Sequence, residues 1–176
     1  DAPDPTGEGG VPATQQFIME DVPRKVAQFG RNTAFFGTNC GMQEPLIRQV
    51  MSQRAIFPVQ CCPSPFHALP GALGIAVPPE RKADVAWILS ESKARIAAAG
   101  MTGRMSTWPV PVNMMYIEAG VRYAQAFIEG RTHRRARVDA PLMTNIMSEI
   151  AGGRVQLTNY KTYPNFFMYL SDFYNF

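Results

Sequence analysis

The sequence predicts an α/β fold, a parallel sheet with helices on both faces. Three observations lead there. Short runs rich in β-branched and aromatic residues, at 33–36, 55–60 and 102–108, alternate with longer stretches of three- and four-residue apolar spacing. Each run stops in small polar residues, glycine or proline before a helical pattern begins. The 176 residues amount to roughly one domain, and 46% of them are hydrophobic, enough for a buried core.

The elements follow in order. The first ten residues, DAPDPTGEGG, have the composition of a linker or a domain entry. Because the chain starts at Asp1 and not at Met, either a removed leader or a longer parent protein is expected. Gln15 to Phe29 reads as a helix with an apolar stripe of Phe17, Ile18, Val22, Val26 and Phe29. Pro23 interrupts it, Asp21 caps a restarted second half, and Gly30 ends it. Thr33 to Phe36 is the first strand, which turns at Gly37. Pro45 lacks an N–H and belongs in a first helical turn, so the next helix should start near Gly41 or Met42. Met42, Leu46 and Val50 fall on one face of that helix.

Ala55 to Gln60 is the second strand, pushed towards a sheet edge or strand end by Pro58. The next segment, CCPSPFHALPGALGIAVPP, has no steady period and reads as a long loop. Pro79 to Ala99 is a helix with Val85, Ile88, Leu89, Ser92 and Ile96 on its inner face. Thr102 to Trp108 is the third strand, and Val112 to Ile128 is the cleanest helix. Its inner face should carry Val112, Met115, Tyr116, Ala119, Tyr123, Ala126 and Phe127. Arg131, His133, Arg134, Arg135 and Arg137 form a basic, solvated connector. A helix over Ala140 to Ala151, a strand over Val155 to Tyr160 and an aromatic tail complete the chain. The tail, Tyr163 to Phe176, is apolar enough to need a packing partner.

Composition excludes several functions. The net charge of +3 is spread among 17 cationic and 14 anionic residues and gives no argument for nucleic acid. No apolar run reaches the ~20 residues of a membrane helix. GTNCGMQ has neither phosphate-loop spacing. Paired acids are absent, since Glu44 and Glu118 occupy ordinary helix-surface positions. Three cysteines, two of them adjacent, make no disulfide framework.

The strand ends supply the candidate site. Parallel strands would bring three polar corners to one edge, where α/β proteins hold small molecules. These corners carry Thr38, Asn39 and Cys40; Cys61, Cys62, Ser64 and His67; and Ser106, Thr107, Trp108 and Asn113. Backbone N–H groups at the start of the Met42 helix, with Thr38, Asn39 and Gln43, are the expected ligand contacts, and Trp108 offers a stacking plate. Neither a metal nor a cofactor is expected. Cys40, Cys61, Cys62 and His67 are soft ligands, but the vicinal pair lacks CxxC spacing and chelates awkwardly, so inert thiols are the expectation. The catalytic alternative is a Cys40 thiol activated by the helix start, with His67 as base.

TAFFGTNCGMQEPLI followed by QCCPSPFHALPGALGI resembles an uncharacterised family of bacterial lipoproteins similar to the type 1 periplasmic binding proteins of ABC importers. PTGEGGVPATQQFIMEDVPRKVAQFG resembles the family's stretch before that strand. Members are longer, and this chain resembles their second half. The resemblance implies an extracytoplasmic, non-catalytic lobe that binds a small solute and works with an ABC permease, and it names no ligand or binding residues. It implies that 1–139 form the second lobe of a two-lobed fold, with a hinge and a cleft. Residues 140–176 would then be a closing segment that returns to the first lobe. The aromatic tail would pack on that lobe or on a second copy of the chain. A ligand-sensing regulatory domain is a further reading of the same fold.

Overall fold

The computed structural model describes residues 2–133 and 137–176, so Arg134 and Arg135 of the basic connector lie outside the described residues. The chain mixes helices with small sheets and divides into two compact units. One comprises Asp1–Trp108 with Tyr174–Phe176, the other Pro109–Phe173. The division expected at 139/140 therefore falls inside the second unit.

In the first unit, α1 (Gly10–Phe29) packs on α2 (Cys40–Gln53). α1 begins earlier than expected and runs through Pro23 without a break. Its inner stripe narrows to Thr14, Ile18 and Val22, while Phe29 is exposed. α2 starts at Cys40, and Pro45 sits beyond its first turn. Proline there leaves the Gly41 carbonyl without its helical donor. The Gln15 side-chain amide of α1 donates to that carbonyl at 3.2 Å and offsets the loss.

A four-residue helix α3 (Leu69–Ala72) lies in the proline-rich segment. The expected Pro79–Ala99 helix is two pieces, a 3₁₀ turn at Pro79–Arg81 and α4 (Val85–Ala98). Asp84 explains the break: its carboxylate accepts the Trp87 N–H at 2.9 Å and starts α4 anew. Ile88, Ser92 and Ile96 are the buried face.

Extended structure is sparser than the sequence suggests. Residues 33–36 and 55–57 meet in a single parallel bridge, Ala34 with Ile56, and Phe57 bridges Met105 in the same sense. Pro58 has no N–H to continue the pairing, and Gly103, at φ +76, turns the chain just before Met105. Only Ser106–Thr107 of the third run is a regular strand, β1, and its ladder is antiparallel, to β4 (Tyr174–Asn175). The unit's core contains Val22, Leu46, Ile47, Val50, Phe57, Leu69, Ile88, Ile96, Met101, Met105 and Phe176.

In the second unit, α5 (Val112–Ile128) packs on α6 (Ala140–Ala151), and α6 on β2 (Val155–Asn159). Both helices have the bounds read from sequence. Asp139, almost wholly buried, caps α6 by accepting the Leu142 N–H at 3.2 Å and also accepts the His133 N–H at 2.8 Å. Val112, Met115, Ala119 and Ala126 are buried, but Tyr116 and Phe127 are exposed, and so are Met114, Ile117, Val121 and Ile128. α5 is thus apolar around most of its circumference.

β2 pairs antiparallel with β3 (Phe167–Ser171), a hairpin the sequence reading did not foresee. The aromatic tail divides accordingly: β3 belongs to this hairpin, while Phe176, 5% exposed, belongs to the first unit's core. Phe57, at 0% exposure, is central in that core. Phe57→Ala should lower unfolding free energy by about 3–5 kcal/mol, whereas Phe36→Ala, at an exposed ring, should change it by less than about 1 kcal/mol; urea denaturation followed by circular dichroism checks both.

Candidate functional site

The first corner is built by its own hydrogen bonds. Asn39 is the N-cap of α2, and its side-chain oxygen accepts the Gly41 N–H at 2.9 Å. Gln43 is fully buried, and its amide donates to the Gly37 carbonyl at 3.0 Å and to the Asn39 carbonyl at 3.3 Å. Gly37 is required by this close approach, since a Cβ there would lie 2.6 Å from the Gln43 amide nitrogen. Two residues expected to touch ligand thus hold the turn. Thr38 is exposed and remains available.

The third corner is tied to the second segment. The Ser106 hydroxyl donates to the Pro58 carbonyl. Thr107 donates to the Gln60 side-chain oxygen at 2.9 Å, and the Trp108 indole N–H to the Gln60 carbonyl at 2.9 Å. In the second corner, the Ser64 hydroxyl accepts the Phe66 N–H at 3.1 Å. Asn113 lies on α5 in the other unit, with its side chain exposed.

Among the described residues, four side chains that the sequence reading gave no metal role converge. Cys40, Cys61, Cys62 and His67 have their ligating atoms all within 4.8 Å of one another. Cys40 Sγ lies 2.7 Å from Cys62 Sγ, and Cys61 Sγ lies 3.8 Å from Cys62 Sγ. The three thiols are free, as expected, but the expectation that they are buried is corrected: Cys40 is exposed, and Cys61 and Cys62 are half-buried. The proximity of His67 to Cys40 is a tertiary feature that the sequence does not reveal.

Burial and close thiol contacts raise the cost of ionising Cys61 and Cys62. The Cys62 thiol is pushed up to about 12, first by its contact with Cys40 and then by burial. Cys61 is raised chiefly by burial, and burial holds His67 below its usual 6.5.

A cleft of about 440 Å³ opens beside the first corner. It is lined by Ile18 and Val22 of α1, Met42 and Leu46 of α2, and Phe35, Phe36, Gly37 and Thr38 between them. Buried polar atoms without a partner include Gln43 Oε1, Gln60 Nε2 and His67 Nε2, at the first two corners.

The family model described as "Protein of unknown function (DUF3798)" matches residues 1–106, and the chain belongs to that family. No curated protein matches it. A crystal structure of a "Putative transcriptional regulator" from Clostridium difficile 630 superposes with a TM-score of 0.90 at 18% identity. That match covers 100% of this chain and 50% of the other, so the chain shares the fold of about half of that protein.

Two substitutions test the corner. Asn39→Ala should cost about 1 kcal/mol of stability through the lost cap. Gly37→Ala should cost about 1–3 kcal/mol by overpacking against Gln43. Chemical denaturation of both proteins checks the order.

Proposed function

We propose that the chain is one lobe of a small-molecule binding module of the type 1 periplasmic-binding-protein kind, without catalysis. The carrying observation is the cleft beside Gly37–Thr38, at the mouth of a capped helix. Two supports add to it. The parallel bridges at Ala34–Ile56 and Phe57–Met105 run three segments out towards one edge, as the finer fold, a parallel sheet, would require. The half-length match to a larger protein is what one lobe of two would give. Thr38 is the polar contact in this reading, and the apolar lining of Phe35, Met42 and Leu46 holds the body of the ligand.

The second half of the fold would cover the apolar surface of α5 and β3. Ile117 and Val121 are 63% and 65% exposed, and Met168 and Leu170 are exposed as well. Solvated apolar area of this size marks an interaction surface. The proposed setting is extracytoplasmic, as a lipid-anchored protein delivering solute to an ABC permease. The neighbour's name favours a second setting, in which the same binding chemistry serves a ligand sensor that regulates transcription.

A thermal-shift screen of amino acids, sugars and nucleosides tests the binding reading. A true ligand at 100 times its Kd adds about 2.7 kcal/mol, or a rise of about 5–10 °C in Tm for a chain of this size. Thr38→Trp, which fills the cleft mouth, should abolish the rise, and Cys40→Ser should keep it. A catalytic turnover that disappears in Cys40→Ser would overturn the proposal.

A further inference from the structure

We propose that Cys40, Cys61, Cys62 and His67 form a four-ligand site for a thiophilic d10 cation of the zinc class. The donors come from two places far apart in sequence. Cys40 is the first residue of α2, and the others sit in the segment after Gln60. Three sulfurs and an imidazole nitrogen make a Cys₃His set, complete for tetrahedral coordination and leaving no open position. All four donor atoms fall within 4.8 Å of one another.

One of the two sulfur–sulfur distances is already that of a metal site. A tetrahedral site with Zn–S bonds of about 2.3 Å has sulfur–sulfur edges of about 3.8 Å. Cys61 and Cys62 stand at 3.8 Å, so the vicinal pair has the sulfur–sulfur edge of such a site despite lacking CxxC spacing. Cys40 and Cys62, at 2.7 Å, must open by about 1 Å, and Cys40 is exposed. His67 offers a buried Nε2 with no hydrogen-bond partner.

The loop is shaped to hold these ligands. The Ser64 N–H donates to the Cys62 carbonyl at 2.8 Å, and the His67 N–H to the Ser64 carbonyl at 3.1 Å, which folds His67 back towards the cysteines. On binding, each thiol releases its proton to solvent and its sulfur bonds the cation. The loaded site carries a single net negative charge, which the N-terminal end of the 14-residue α2 favours. Its role would be structural, clamping the proline-rich segment to the start of α2, and it does not depend on the solute-binding reading.

The test uses the 176-residue chain, reduced and stripped with a chelator. Zinc alone is titrated against a chromophoric competitor, and cobalt(II) is added separately as a spectroscopic probe. The expected result is one equivalent of zinc bound, a rise in Tm, and thiolate-to-cobalt charge-transfer with strong tetrahedral d–d bands. Cys62→Ser and Cys40→Ser should each weaken binding by more than the about 10–100-fold that loss of an outer-shell partner costs, and His67→Gln should weaken it by at least about tenfold. Circular dichroism reports whether each variant is folded, and Cys40→Ser, at an exposed position, serves if Cys62→Ser is not. Three results would overturn the proposal: zinc affinity unchanged in Cys40→Ser and His67→Gln, no uptake by protein whose three thiols all react with a thiol reagent, or a Cys40–Cys62 disulfide that forms in air despite stoichiometric zinc.

Discussion

Two peptide units at Ile56 and Phe57 hold the first unit together. Ile56 donates to Thr33 at 3.0 Å and accepts from Phe35 at 2.9 Å, while Phe57 donates to Arg104 at 3.0 Å and accepts from Ser106 at 3.1 Å. One segment thereby joins stretches of chain that are more than twenty residues away on one side and nearly fifty on the other. The Phe57 ring meanwhile is buried among side chains of that same core. Arg104 reinforces the junction: its guanidinium donates to the Arg54 carbonyl at 2.8 Å, to the Asn32 side chain at 3.1 Å and to the Arg31 carbonyl. Buried backbone groups must be paired, and here a few bonds, not a long ladder, meet that demand.

The corners follow from this junction. Once 33–36, 55–57 and 104–106 are aligned, the chain's turn at Gly37 is closed by local bonds, and Gln60 and Trp108 are tied to each other. Gln43 and Asn39 set the turn into α2, and Gln60 receives both Thr107 and Trp108. The same alignment brings Cys40 to the cysteine pair at 61 and 62. In the proposed binding reading, recognition falls to what the scaffold has not consumed: Thr38 and the apolar cleft.

Much of the fold was legible along the chain. α5 and α6 were readable to the residue because apolar periodicity, a glycine stop after each and Asp139 before α6 are local signals. α1 and α2 were found with displaced starts. Pro45 misled because its cost is met by Gln15, thirty residues earlier, a partner no local pattern reveals. The strands were placed correctly as extended runs but overestimated in length, since pairing depends on a neighbour's free N–H, which Pro58 lacks. The hairpin β2–β3 was missed because the tail's aromatic residues hid the alternation of β3.

The candidate site was half legible. Its location at the strand ends came from sequence, and so did the types of residue gathered there. Which side chains face one another did not, because hydrogen-bond assignment and thiol proximity are properties of three-dimensional distance. The sequence by itself determined the order of helices and extended runs, the absence of a long apolar helix, and the composition of the corners. Only the tertiary structure decided that Asn39 and Gln43 build the turn, that Phe176 returns to the first core, and that three sulfurs and an imidazole converge. Local periodicity encodes which face of an element is apolar, whereas convergence of groups distant in sequence is fixed only when the cores on which they are carried have packed.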